Sequence, residues 1–474
     1  MPELPNFLIV MSDQHAPGVL GGLGHPAVRT PALDRLMAEA VTFRQAHCPY
    51  PMCTPARASF MTGLLAPQHG VWELGTPLPS DLPTWVHVLR RAGYETVLSG
   101  HMHFIGRDQW HGFERLAHPG FVTRTSPFAY ADWDRPLEFD VPVNEHRLRT
   151  AGPRDEPTRN EKFDVPVVNA ALKELPRLVE RSDRPWLLVV GLIQPHTPYE
   201  VSRRFYEPYA TAEIPLPRTP PGGKTFEEMI PPQFVGSRRW HGLTSDWATD
   251  DQVREARRCY YGMVSEVDEL VGRLVARLEE LDARRNTWIA YLSDHGDNLG
   301  EHGFWAKCNF YEESVRIPWI VSPPGCRHGG AMCDAPVSLI DWMPTVLELT
   351  GQKEHFDDLP GRSLLPLLEN PAERWENRAI VADYACEGTR VPMRMVRQGR
   401  WKACFAPGFS PVLYDLETDP HEWHDRGTDP AVAPVLQSLE ACAHADGWDG
   451  ERLLNEIHRH QRRLRFLDEA ERTH

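Results

Sequence analysis

The sequence predicts an α/β protein, a mostly parallel central sheet flanked by helices, with a small C-terminal α+β domain. From residue 7 to about residue 350, short apolar runs bounded by turn formers alternate with helical stretches, the pattern of strands covered on both faces. After Leu368-Glu-Asn-Pro the texture changes to short strand-like runs separated by turn residues, which suits an antiparallel sheet. The length of 474 residues supports a division, because it exceeds what one hydrophobic core organises. The domains are accordingly placed at 1–368 and 369–474.

Taken in order, Phe7–Met11, Thr96–Ser99, Trp186–Ile193, Trp288–Ser293 and Pro318–Ser322 read as buried parallel strands. Pro31 to Ala40 reads as a helix, with Thr30 as N-cap and Pro at the first helical position, where its missing N–H is not needed. Arg254–Leu281 and Ser338–Leu349 read as further helices. Phe121–Pro157 lacks periodicity and Pro215–Gly223 packs four Pro against two Gly, so both read as long loops that wall a pocket. Ala379–Tyr384, Met393–Val396, Trp401–Phe405 and Leu413–Leu416 read as strands of the small sheet, and two helices follow. The last, Glu451–Phe466, sets Leu453, Ile457 and Leu464 on one face, with Arg462, Arg463 and Arg465 near its end, where the helix dipole favours cations.

Composition narrows the function. Against 66 Asp and Glu stand 51 Lys and Arg, a net charge of −15, which argues against a nucleic-acid binder. Apolar runs fall short of a membrane span, and the N-terminus lacks a basic region, an apolar core and a cleavage site, so a cytoplasmic enzyme is expected. Nine Cys without a Cys-x-x-Cys pair are expected to be mostly reduced. Only six of the basic residues are Lys, so a Lys inside a motif is informative.

The strongest motif is Cys53-Thr-Pro-Ala-Arg57; nine Cys, 44 Pro and 45 Arg in 474 residues give about 0.08 chance matches. It has company at two strand ends, Asp13-Gln14-His15 and Ser293-Asp294-His295-Gly296-Asp297, where a parallel sheet gathers its chemistry. With these residues the chain resembles the sulfatase family of the alkaline phosphatase superfamily, in which the Cys of Cys-x-Pro-x-Arg becomes formylglycine (3-oxoalanine). The likeness runs in matching order from residue 6 to about 350. It comprises Asn6-Phe-Leu-Ile-Val-Met-Ser-Asp-Gln, Thr30-Pro-Ala-Leu-Asp-Arg-Leu, the Cys53 motif, Gln194-Pro-His196-Thr-Pro-Tyr, Asp294-His-Gly-Asp-Asn-Leu-Gly-Glu-His-Gly, Lys307 and Tyr311-Glu-Glu-Ser-Val-Arg-Ile-Pro. Within the family the chain looks closest to choline sulfatases and their neighbours the phosphonate monoester hydrolases; Ser99-Gly-His-Met-His103-Phe and the tail Trp448-Asp449 with His460-Gln-Arg-Arg-Leu-Arg465 are similar to choline sulfatases.

The resemblance implies a metal-dependent sulfuric ester hydrolase. It implies Cys53 as the nucleophile's precursor, matured by a formylglycine-generating enzyme, and Asp13, Gln14, Cys53, Asp294 and His295 around one divalent metal ion. Carboxylate and amide oxygens suit Ca²⁺, Mg²⁺ or Mn²⁺, and the imidazole tilts the expectation towards Mn²⁺ or another transition ion, with Mn²⁺ first and Ca²⁺ next. Arg57 is implied to hold Cys53 and its charge, Lys307 and His196 to contact the ester with His196 as leaving-group acid, His103 to support the nucleophile and His101 to stand near the anion. Two departures stand out: His101 occupies a place where the family usually carries Lys, and Leu64 one where many members carry Arg. A Lys would be a permanent cation, whereas His is charged only in part near neutral pH. By the same likeness, the tail helix joins subunits into a dimer or tetramer.

Other readings stay open at this level. A phosphonate monoester or phosphodiester could be the substrate of the same residues, and a catalytically silent protein that binds sulfated ligands is the alternative from another class. Cys53 could be a buried thiol, Asp13 and Asp294 helix caps, His196 part of a Pro-flanked turn and His101 structural. His15, His25, His111 and His302 read as scaffold or pocket-lining groups. The aromatic stretch Phe128–Trp133 is a candidate for holding a quaternary ammonium by cation–π contact, or simply core.

Overall fold

A computed structural model describes residues 4–120, 145–181, 183–241, 248–325, 329–356, 358–375 and 378–472. The central sheet has eight strands in the order Ala331–Cys333, Val41–Phe43, Trp319–Ser322, Thr287–Ser293, Asn6–Ser12, Trp186–Gly191, Glu95–Gly100 and Arg115–His118. Asn6–Ser12 lies at its middle, parallel to both Trp186–Gly191 and Thr287–Ser293. Side chains alternate across it. Phe7, Ile9 and Met11 join Phe60, Trp85 and Trp342 on one face, while Leu8 and Val10 join Leu33, Leu175, Leu270 and Leu274 on the other. Both faces are therefore covered by helices, which is why these strands are apolar without interruption.

One predicted strand runs the other way. Trp319–Ser322 is antiparallel to both Thr287–Ser293 and Val41–Phe43. A parallel return needs a crossover helix, and between Ser293 and Trp319 the helical content is a short 3₁₀ turn and Glu312–Val315. Three strands, Val41–Phe43, Arg115–His118 and Ala331–Cys333, are too short to show a period in the sequence.

The helices differ from expectation mainly at their ends. Pro31–Ala38 stops two residues early, and Thr30 does not cap it with its side chain. Thr30 Oγ1 instead donates to Asp34 Oδ1 at 2.8 Å, and the open amides of Ala32 and Leu33 donate to Asp268. Asp268 belongs to Asp250–Glu280, which begins four residues earlier than predicted with a reciprocal Thr249–Gln252 cap. Trp342–Thr350 is shorter than predicted, with Leu339–Asp341 forming a 3₁₀ turn before it. The stretch expected to be a loop to Pro157 holds the helix Glu145–Arg149 and the strand Gly152–Arg154, and residues 121–144 lie outside the described residues. Arg159–Glu180 was hidden in the sequence by Pro166 and Pro176, two residues that break a helical pattern, yet it is one helix. Within Pro215–Gly223, the last three residues form a 3₁₀ turn.

The C-terminal sheet is antiparallel in chain order, Ala379–Tyr384, Met393–Gln398, Trp401–Phe405 and Val412–Asp415, followed by helices Ala433–His444 and Gly450–Arg472. Leu453, Ile457 and Leu464 are buried, as the helix pattern requires. This unit shares one continuous apolar cluster with the central sheet. Polar seams add to it: Asp383 N–H donates to Pro49 O at 2.9 Å, Ala385 N–H to Tyr50 Oη at 2.7 Å, and Lys402 Nζ to Phe310 O at 2.7 Å. Among the described residues the eight cysteines are free thiols, and no helix is long and apolar enough to cross a membrane.

Candidate active site

Strands Asn6–Ser12 and Thr287–Ser293 are in register at Ser12 and Ser293, so Asp13 and Asp294 leave the sheet side by side at its carboxyl end. Gln14 follows in a left-handed conformation with φ 67°, which lets its N–H donate to Asp294 Oδ1 at 3.1 Å. Positive φ outside glycine is rare and costly. Of nine such described residues, Gln14, His103, Leu299, His302, Ala306 and Cys308 sit in the loops that carry the sequence-predicted site residues or adjoin them. Into this ring projects helix Cys53–Thr62, buried along its whole length, with Cys53 at its first position.

Arg57 lies one turn beyond Cys53 and ties the loops together. Its Nε donates to Asp294 Oδ2 at 2.8 Å, one terminal nitrogen to Asp13 Oδ2 at 3.1 Å and the other to the His101 carbonyl at 2.6 Å. Cys53 Sγ stands 3.2 Å from His295 Nε2, 3.3 Å from Lys307 Nζ and 3.6 Å from Asp13 Oδ1. Lys307 Nζ also donates to Gln14 Oε1 at 2.8 Å. The Gln14 amide is fixed at both ends, because its Nε2 donates to Asp297 Oδ2 at 2.7 Å and Asp297 in turn accepts from Tyr199 Oη at 3.0 Å.

Burial and crowding set the charges. The Asp13 carboxyl is pushed up to about 7 by burial and then by Asp294, whereas Asp294 is held low by Arg57, His295 and Lys307 against the effect of burial. Burial and Asp13 raise the Cys53 thiol well above its ordinary range. Burial opposes the Lys307 cation, but Cys53 and Asp13 outweigh it and keep the amine charged. His103 and His295 are lowered to about 3, and His101 and His196 fall well below the usual histidine range, in each case chiefly by burial. The imidazoles of the site are thus neutral.

Seven of the residues singled out from sequence form one directly bonded group: Asp13, Gln14, Cys53, Arg57, Asp294, His295 and Lys307. His101 joins through its carbonyl, and its ring lies 4.6 Å from that of His103. His196 stands slightly apart between two cis prolines, with Nδ1 donating to Thr197 O at 2.7 Å and its own carbonyl held by Asn160 Nδ2. His15 is fixed by Tyr291 and Val19, and His25 accepts from Ala27 and Val28 N–H, both scaffold roles. Phe128–Trp133 lies outside the described residues. Tyr199 and Asp297 both lie in motifs quoted from the sequence, His-Thr-Pro-Tyr and Asp-His-Gly-Asp, which gave neither a role.

Asp13, Cys53, Asp294 and His295 place one ligand atom each within 4.8 Å of one another. The donor set fits a divalent cation. His295 Nδ1 donates to Gly296 O at 3.0 Å, so its Nε2 lone pair faces Cys53 Sγ and, at 3.7 and 3.6 Å, the Asp13 and Asp294 carboxylates, which raise Asp13 by mutual repulsion even with Arg57 bonded to both.

The comparisons follow the same outline. The Sulfatase family profile matches residues 5–352, and the profile for the C-terminal part of N-sulphoglucosamine sulphohydrolase matches residues 300–445. The chain is 33% identical over 486 residues to a choline-sulfatase of Rhizobium meliloti (strain 1021), spanning 99% of this chain and 92% of that one. Its structure is similar to the phosphonate monoester hydrolase of Agrobacterium radiobacter, with a TM-score of 0.73, 24% identity and 96% of both chains covered. It is also similar to the phosphonate monoester hydrolase of Silicibacter pomeroyi, with a TM-score of 0.71, 26% identity, and 97% and 95% of the two chains covered.

Proposed function

The chain belongs to the sulfatase family of sulfuric ester hydrolases, and on that premise we propose that it cleaves a small sulfate ester through a formylglycine formed from Cys53, with one divalent metal ion, Mn²⁺ ahead of Ca²⁺. The observation that carries this reading is the convergence on Cys53 Sγ of Lys307, His295 and Asp13 within 3.6 Å, at the head of a buried helix. Asp13, Gln14, Asp294 and His295 would hold the ion, which supplies Lewis acidity and fixed positive charge. The modified residue supplies two hydroxyls on one carbon, one to attack and one to drive release.

The remaining work falls to side chains of this chain. Arg57 holds the two carboxylates together and aligned by bonding to both, and Lys307 presents a permanent cation to the ester's nonbridging oxygens. His103 would support the nucleophile, and neutral His101 would offer a hydrogen bond where a cation is usual. His196 carries its proton on Nδ1, facing Thr197 O, so Nε2 must gain a proton before it can protonate a leaving oxygen. Lys307 and Arg147 oppose that charge, and an arriving anion offsets them.

A phosphonate monoester or phosphodiester is the second reading, supported by the 26% identity to the Silicibacter pomeroyi enzyme and by the neutral His101. The reading brings with it a formylglycine-generating enzyme as maturation partner and a cytoplasmic dimer or tetramer joined through Gly450–Arg472, where Phe466 is 70% exposed. Mass in solution after truncation at Gly450 tests the assembly, and an unchanged oligomer rejects it. The activity is tested by kcat/KM for choline sulfate, an aryl sulfate and an aryl phosphonate monoester, with Mn²⁺ and the maturation enzyme supplied. A sulfate ester should win by orders of magnitude and Cys53→Ala should abolish turnover; a winning phosphonate replaces the first reading by the second.

A further inference from the structure

Away from Cys53, three potential metal-ligating side chains meet where the central unit touches the C-terminal sheet. His302 comes from the loop after Thr287–Ser293, Glu313 from helix Glu312–Val315 and Glu422 from the segment after Val412–Asp415. Each offers one ligand atom, and these atoms lie within 4.8 Å of one another.

His302 is 2% exposed and stands with φ 55°, its ring stacked on Tyr311 at 3.7 Å and 2° and packed against Trp423 at 4.4 Å. The ring plane is therefore fixed. Glu422 is buried as well, with φ 50°. Burial, Arg218 and Lys402 keep His302 neutral, the form that ligates metals.

Each carboxylate already has one cation beside it. Lys402 contacts Glu422, and Arg218 contacts Glu313 at 2.5 Å. The other Glu422 oxygen accepts from Glu312 N–H at 2.8 Å. Each carboxylate retains lone pairs for a further partner. Glu313 and Glu422 are nevertheless raised, by burial first and by neighbouring carboxylates, with Glu422 pushed up to about 7.

We propose that His302, Glu313 and Glu422 form a second divalent-metal site, distinct from the one at Cys53, which pins the loop after Asp294 to the C-terminal sheet. One imidazole nitrogen and two carboxylates suit a borderline transition ion such as Zn²⁺ better than Ca²⁺. The site is structural, since it lies outside the group that surrounds Cys53.

The test uses the full chain stripped of metal, dialysed against Zn²⁺ and freed of excess, with bound zinc measured by mass spectrometry. Asp294→Asn disables the first site and should still retain an ion; adding His302→Ala or Glu422→Gln should remove it. Equal zinc in Asp294→Asn and in the double variants, or none in Asp294→Asn, overturns the proposal. Crystals of the unmutated chain soaked in Zn²⁺ give a readout that does not depend on how the variants fold. An anomalous difference peak between His302, Glu313 and Glu422 supports the site, and its absence overturns it.

Discussion

Arg57 Nε lies 2.8 Å from Asp294 Oδ2, and this bond joins the helix that starts at Cys53 to the strand end that supplies a carboxylate. Both side chains are almost fully buried, and Arg57 reaches Asp13 and the His101 carbonyl as well. Removing one partner of such a pair leaves a buried charge uncompensated. Arg57→Ala should therefore cost about 3–5 kcal/mol in denaturant melts. Arg57→Lys keeps the charge without the fork, and should retain more stability than activity.

Asp297 and Tyr199 fix the Gln14 amide with its oxygen towards Lys307. Loss of such an outer partner typically weakens a metal site about 10–100-fold. Asp297→Ala should show that loss in calorimetric titration of Mn²⁺, and Tyr199→Phe a smaller one, because Asp297 keeps its contacts with Gln14 and Leu299 N–H.

His101 is neutral because it is buried beside His103 and Arg57. His101→Lys places a permanent cation there. Inhibition by inorganic sulfate should strengthen about tenfold, the worth of one charge-assisted hydrogen bond, while the sulfate-free protein should melt earlier. An unchanged inhibition constant would remove His101 from the anion site.

Glu73 is pushed up to about 8 from 4.5, by burial first and then by Glu387. The folded chain thus binds more protons here than the unfolded chain between those values, so this group's contribution to stability falls as pH rises through that window. The slope reaches about 1.4 kcal/mol per pH unit at most. Glu73→Gln has no proton to lose, and its melting temperature relative to the unmutated chain should climb between about pH 5 and about pH 8.

The sequence made the middle of the sheet legible because strands covered on both faces are apolar throughout, as Phe7–Met11 is. It hid strands such as Val41–Phe43, which are shorter than any period, and Arg159–Glu180, whose internal prolines contradict its fold. The direction of Trp319–Ser322 is a tertiary property, set by the lack of a crossover helix rather than by its residues. At the site, Cys53, Arg57, Asp13 and Asp294 were legible as motifs at strand and helix ends. The roles of Asp297 and Tyr199 were less so, since they rest on Gln14 donating to Asp297 and Tyr199 donating to Asp297, contacts far apart in the chain.

The seam at Pro49 and Tyr50 bears on the order of events during synthesis. These residues stand just ahead of Cys53, and their partners, Asp383 and Ala385, leave the ribosome more than three hundred positions later. Asn6–Ser12 likewise waits for Trp186–Gly191 and Thr287–Ser293. Until then the helix that starts at Cys53 lacks its seat, and Cys53, 3% exposed in the finished fold, would be open to the maturation enzyme of the proposed reading. On the proposed reading, maturation and folding would compete for the same thiol, and the late arrival of the last sheet would set how long the first has to act.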